Sequence, residues 1–212
     1  MERFIMQDLI AWKDRKDRKP LILLGARQVG KTYILKEFGQ REFENVAYIN
    51  CDNNAMVKDL FATDYNIERI LLTIGAITGV NIQAGKTLII MDEIQELHRG
   101  LASLKYFCED AREYHVAVAG SLLGLTLHQG ESYPVGKVNT LEMFPMTYEE
   151  FLLARGFKQR ADLLQSGMWD VVNSLRTLYI QHLREYYLVG GMPEVVKKFI
   201  DTNDANAVRE VQ

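Results

Sequence analysis

Eight consecutive residues, Gly25-Ala26-Arg27-Gln28-Val29-Gly30-Lys31-Thr32, have the types and the spacing needed to hold a triphosphate. They match G-x-x-x-x-G-K-[ST] in full. A triphosphate carries several negative charges and needs many donors at short range. Two glycines let the backbone wrap inward so that successive N–H groups converge on one anion. A helix opening near Gly30 adds unpaired N–H groups and about half a positive charge at its N-terminus. Lys31 would reach the β and γ phosphates, and the Thr32 hydroxyl would ligate magnesium. Tyr33, the next residue, is assigned to the same nucleotide contact. A chance match in a chain of this length is on the order of one in a hundred. The flanks narrow it further, because an apolar run precedes the motif and a helical pattern follows it.

A second constellation lies downstream. Leu88-Ile89-Ile90-Met91 is apolar and ends in Asp92-Glu93. A buried strand delivers its last residues to the carboxyl edge of a sheet, where ligands of α/β proteins sit. Asp92 there can hold magnesium, directly or through water. Glu93 can accept a proton from an attacking water, which argues for hydrolysis over binding alone. The strand Val116–Ala119 delivers Gly120-Ser121 toward the same edge. Two readings of Ser121 stand, a hydroxyl that orients the water or touches the γ phosphate, and a capping residue in a tight turn.

The elements that must position these groups follow from the hydrophobic pattern. Met1–Trp12 has helical spacing, with Phe4, Ile5, Leu9, Ile10 and Trp12 apolar. Leu21–Leu24 reads as a strand buried on both faces. Ile34, Leu35 and Phe38 read as a helix that Gly39 would stop. Val46–Ile49, Thr87–Met91, Val116–Ala119 and Val138–Met143 read as further strands. Helical faces are expected at Ile67, Ile70, Leu71, Ile74 and Ile77, closed by Gly79, and at Leu97, Leu101, Leu104 and Cys108. Strands alternating with helices predict a parallel sheet covered on both sides.

After Pro145 only helical patterns remain. Thr147 with Glu150 forms a capping box, and Met146 with Phe151 a hydrophobic staple. Val171, Leu175, Leu178, His182, Leu183 and Tyr186 read as one long apolar stripe. Gly190-Gly191 would end it, and Pro193 suits the first turn of the next helix, with Val195, Val196, Phe199 and Ile200 behind it. The division expected is an α/β core over 1–145 and a helical lid or linker over 146–212.

Composition constrains the class. The chain has 212 residues, 48% hydrophobic and 25% charged, enough for a sizeable core without staples. A net charge of −3 supplies no general attraction for nucleic acid or anionic membranes. The run Lys13, Arg15, Lys16, Arg18 and Lys19 is diluted by Asp14 and Asp17 and reads as a solvated helix end. Cys51 and Cys108 lack the spacing of a metal site or a disulfide framework. They suit a reducing cytosol, and no run approaches the roughly 18 apolar residues needed to span a bilayer. A cytoplasmic location without membrane contact is expected.

Taken together, Leu23–Thr32, Ile89–Leu97, Val118–Leu123, Pro134–Leu152 and Tyr187–Val195 resemble the AAA-type ATPases of bacteria and archaea that carry a C-terminal companion domain of unknown function. They look like relatives of the signal-transducing STAND class. The resemblance spans about residues 23 to 195. It implies a five-stranded P-loop NTPase sheet in the order 5-1-4-3-2, ATP or ADP with Mg2+, a catalytic Glu93, and Ser121 as polar sensor. It further implies that the Gly191–Pro193 turn approaches the adenine, against a plain helix–helix connector, and that Arg3 is a second candidate there, against a surface arginine. Some relatives have arginine where this chain has Lys137, which could not give the same bidentate contact, so no arginine finger is named. Such relatives are longer, and the Ala205–Val211 pattern carries no end signal. The resemblance therefore implies a missing C-terminal domain, which or another protein would be the partner.

The leading expectation is an ATPase that couples nucleotide state to that partner. A P-loop small-molecule kinase is a second reading, with Arg155 and Arg160 available for a lid. A regulatory module that binds ATP without turnover is a third. A GTPase is disfavoured, because no Asn-Lys-x-Asp quartet is present.

Overall fold

The structure is a computed structural model that describes residues 1–52, 54–57, 60–61, 64–121 and 134–209. The chain divides into two compact units. One comprises Ile5–Arg27 and Lys31–Met143; the other comprises Met1–Phe4, Gln28–Gly30 and Phe144–Gln212.

The larger unit holds β1 (Leu21–Gly25), β2 (Asn45–Asn50), β3 (Thr87–Asp92), β4 (His115–Ser121) and β5 (Asn139–Met143). All pair in parallel, in the order β2-β3-β4-β1-β5. This is the expected order read from the other edge. Every residue of β3 is buried, whereas the edge strands β2 and β5 alternate in exposure. A continuous apolar run therefore marks the middle of the sheet, as it must when both faces are covered. Ile22, Ile89, Met91, Val116 and Val118 turn to one face. There they pack with α3 (Ile67–Thr78) through Ile70 and Ile74, and with α4 (Gly100–Asp110) through Leu101, Leu104 and Phe107. α3 starts at Asn66, whose side chain accepts from the Arg69 N–H, and ends at Gly79 in the left-handed region. α1 (Ile5–Asp14) and α2 (Lys31–Glu42) complete the unit.

Three local expectations are corrected. Gly39 does not stop α2, which runs on to Glu42. A Cβ at Gly39 would lie 2.6 Å from Val46 Cγ2 and 3.2 Å from Leu88 Cδ2, so the glycine lets the helix lie close on β2 and β3. Leu97 precedes α4 and follows a short 3₁₀ turn, Ile94–Glu96. The stripe from Val171 to Tyr186 is two helices, as described below.

His115 opens β4 and is 7% exposed. Its ring meets Phe43 at 4.9 Å and Trp12 at 6.0 Å, both edge-on. Burial, reinforced by the charges of Arg18 and Lys13, pushes its pKa down to about 4. The unfolded chain takes up this proton near the ordinary value of about 6.5, while the folded chain resists it. The contribution is therefore complete above the unfolded value and is lost as pH falls from there toward the folded value. The loss is on the order of 3 kcal/mol at 1.36 kcal/mol per pKa unit. Urea titrations between pH 7 and 4 are expected to show this slope, and His115→Phe to flatten it.

In the smaller unit, helices α5 (Tyr148–Ala154), α6 (Lys158–Gln165), α7 (Trp169–Ser174), α8 (Arg176–Val189), α9 (Pro193–Thr202) and α10 (Ala205–Arg209) follow one another. The capping box forms as read: Thr147 Oγ1 accepts from the Glu150 N–H at 3.2 Å, and Glu150 Oε2 accepts from the Thr147 N–H at 2.9 Å. Met146 and Phe151 are fully buried in one cluster with Val189, Val195, Val196 and Phe199. Leu175, at φ −99 and ψ 16, separates α7 from α8. The break turns the buried face onto Tyr179 and His182, and leaves Leu178 exposed. No described helix is long and apolar enough to cross a membrane.

Candidate active site

Parallel pairing brings the ends of four strands to one sheet edge. Gly25 stands in register with Ser121, Asp92 with Ala119, and Asn50 with Asp92. The first residue of the phosphate loop and the acidic end of β3 thus share the carboxyl edge, where an open α/β sheet binds its ligand.

The loop turns with Gln28 at φ 65 and Gly30 at φ 94. Left-handed residues within such a loop let consecutive N–H groups face one side. Ala26, Arg27 and Gln28 are exposed, and Val29 is buried. Lys31 begins α2 and is 6% exposed. Its ammonium donates to the carbonyls of Gly25 at 2.9 Å and Ala26 at 2.8 Å, so it is held against the loop. Burial lowers its pKa, and the charges of Glu93 and Asp92 oppose that shift.

Asp92 is buried and receives three donors. Thr32 Oγ1 donates to Oδ2 at 2.6 Å, Tyr48 Oη to Oδ2 at 3.2 Å, and the Glu93 N–H to Oδ1 at 3.2 Å. Burial and the Asp92 carboxylate push the Tyr48 phenol up to about 12. The Lys36 ammonium lies 3.4 Å from the centroid of that ring. Cys51 donates its N–H to the Asp92 carbonyl at 2.9 Å, and burial raises its thiol to about 12, so it stays protonated and unreactive.

Glu93 adopts φ 52 and ψ 46, a left-handed conformation uncommon for a residue with a Cβ. Strain of this kind concentrates at functional sites. Gln95 Nε2 donates to Glu93 Oε2 at 2.5 Å and orients the carboxylate. The contact to a neutral donor is the one that a general base makes with its orienting partner.

A magnesium ion fits this donor set. Thr32 Oγ1 and the Asp92 carboxylate are hard oxygen ligands on adjacent elements. Among the described residues no group of three His, Cys, Asp or Glu could cage a metal. A cation here would take its other ligands from phosphate and water, which is the habit of magnesium.

The other candidates are placed as follows. Ser121 ends β4 beside Gly25 by its backbone; its side chain, and Leu122 and Leu123 of the matching stretch, lie outside the described residues. Residues 210–211 of the terminal pattern do so as well. Tyr33 is 60% exposed on the first turn of α2. Lys137 precedes β5, whose Asn139 is in register with Leu21 at the start of β1, so it lies at the opposite edge of the sheet and pairs with Glu109 at 2.7 Å. In the smaller unit Pro193 occupies the first turn of α9, and Arg3 pairs with Glu150 at 3.1 Å. Arg155 lies near Glu185 at 3.7 Å, and Arg160 Nη1 meets His182 Nε2 at 2.5 Å. Sequence reasoning missed Tyr48 and Gln95. A tyrosine two residues before the end of a strand was the available signal for the first, and a polar residue that stays buried past the acidic pair for the second.

Comparison with known proteins bears on the family of the chain. The sequence model of the AAA domain family matches residues 17–152. No curated protein matches the chain. Among solved structures, a point mutant of RuvB from Thermotoga maritima is similar at 19% identity and TM-score 0.47, covering 76% of this chain and 49% of that one. The Thermotoga maritima RuvB Holliday junction branch migration motor is similar at 17% identity and TM-score 0.44, over 78% and 52%. PCH-2 of C. elegans follows at 11% and 0.41, over 77% and 47%. The chain spans about half the length of these structures.

Proposed function

The chain belongs to the AAA domain family, and from that premise we propose that it hydrolyses ATP to ADP and phosphate to drive a conformational or regulatory switch. The observation that carries this reading is the grouping of the Lys31 ammonium, the Thr32–Asp92 pair and the oriented Glu93 carboxylate at one sheet edge. Lys31 would turn from the Gly25 and Ala26 carbonyls to the β and γ phosphates. Thr32 and Asp92 would hold magnesium, which supplies charge neutralisation to the phosphoryl oxygens. Glu93 would take the proton of the attacking water, with Gln95 keeping its carboxylate aimed. Tyr48 would hold the Asp92 carboxylate in place by donating to Oδ2, the oxygen that Thr32 also contacts.

The finer assignments belong to the same proposal. Ser121 senses the γ phosphate, Tyr33 and Pro193 contribute to the nucleotide contact, and the STAND-like class describes the mode of action. Residues 1–145 act as the ATPase core. The helical region 146–212 acts as lid or linker to a further C-terminal domain or a protein partner, in the cytoplasm.

Phosphate release from magnesium ATP by the purified chain tests the reading. Lys31→Ala is expected to weaken ATP binding by at least about tenfold, since it removes a charge-assisted contact. Measurable affinity without any magnesium-dependent release would leave binding and remove hydrolysis. Transfer to an added small-molecule acceptor, with no release to water, would replace it with the kinase reading.

A further inference from the structure

Arg3 is an N-terminal residue 7% exposed, and its guanidinium is fully engaged in one direction. Nη1 donates to the Val29 carbonyl at 3.1 Å, Nη2 to the Phe144 carbonyl at 2.5 Å, and Nε to Glu150 Oε1 at 3.1 Å. Glu150 is itself fixed. Its Oε1 also accepts from the Phe4 N–H at 2.7 Å, and its Oε2 closes the capping box. A planar fork with three anchored contacts is rigid in a way that a single ammonium is not.

Val29 lies inside the phosphate loop, one residue before Gly30. Among the described residues no peptide bond is cis, so the Val29 carbonyl and the Gly30 N–H point in opposite directions across one plane. An arginine that holds the carbonyl on its own side therefore turns the Gly30 N–H to the other. Gly30, at φ 94, has no side chain to resist rotation of that plane from its own side, so a contact to the Val29 carbonyl from outside the loop adds to what fixes the orientation. We propose that Arg3 is a positioning residue for phosphate binding: held by Glu150, it locks the Val29–Gly30 peptide so that the Gly30 amide stays among the donors that face the anion. This rests on the nucleotide reading above and assigns Arg3 to the phosphate tail, not to the base.

Equilibrium binding of magnesium ATP and of inorganic tripolyphosphate, which has no base, tests the assignment. Arg3→Met and Arg3→Lys are compared with the wild type and with Tyr186→Phe. The last removes a 2.7 Å hydrogen bond to the Met146 carbonyl and weakens the same unit without touching Arg3. Both Arg3 variants are expected to lose about tenfold in affinity for both ligands, the scale of one misdirected charge-assisted hydrogen bond. Arg3→Lys retains a cation for Glu150 and keeps the comparison valid if Arg3→Met does not fold. Tyr186→Phe is expected to melt earlier yet bind both ligands as the wild type does. A loss confined to ATP would place Arg3 at the base and overturn the proposal, as would unchanged affinities or an equal loss in Tyr186→Phe. Failure of the wild type to bind either ligand would instead remove the nucleotide reading itself.

Discussion

Glu93→Gln is expected to lower phosphate release from ATP by about a thousandfold while leaving ATP affinity within a few-fold of the wild type. Removing a positioned general base typically forfeits 10²- to 10⁴-fold, of which about a thousandfold is the middle. Binding is spared because the phosphate donors are the loop amides and Lys31, and the metal oxygens are Thr32 and Asp92, none of which the substitution alters. Glutamine keeps the size of the side chain and still offers an oxygen to Gln95 Nε2. The left-handed backbone at Glu93 should persist, so the loss would be chemical and not structural. Single-turnover hydrolysis beside a binding isotherm separates the two. An equal fall in affinity and rate would show that Glu93 belongs to the binding set and not to the proton transfer.

Gly191→Ala is expected to destabilise the protein by about 3–4 kcal/mol, well beyond the effect of Gly190→Ala. A Cβ at Gly191 would sit 2.4 Å from the Met146 carbonyl oxygen and 3.0 Å from the Met146 nitrogen, with Pro145 Cβ at 3.1 Å. The two Met146 atoms are backbone, just before α5, so no rotamer change relieves the overlap. The same approach carries the 2.7 Å hydrogen bond from the Met146 N–H to the Gly191 carbonyl. Overpacking costs about 1–3 kcal/mol, and a buried hydrogen bond broken on top of it a further 1–3. At Gly190 a Cβ meets open space, and only its φ of 77 with ψ −172 opposes a side chain, at about 1–3 kcal/mol. Thermal melts of the two variants should differ by several degrees, since 1 kcal/mol shifts Tm by about 2–4 °C in a chain of this size. A Gly191→Ala melt at or above that of Gly190→Ala would mean that the Met146 segment yields easily.

The chemistry-bearing residues were legible because they are neighbours along the chain. Gly25–Thr32 form one loop, and Asp92-Glu93 end one strand, so residue type and a buried apolar run sufficed to find them. The strands were legible for the same reason: a run with both faces covered is apolar between its ends, as Leu88–Met91 is within β3. The capping box and staple at Thr147 depend on spacings of a few residues. The strand order was implied by family resemblance and not by any residue pattern, because periodicity records which face is apolar and not which strand lies beside which. What folding alone decided is contact at long range. Tyr48 reaches Asp92 across 44 positions, and Arg3 reaches Glu150 across 147. Gly39 and Gly191 read equally well as helix ends. Their neighbours, Val46 and Met146, show that one lets a helix approach a sheet and the other lets two backbones meet. A glycine has no side chain to record its role, and the space that it leaves is defined by the atoms packed against it.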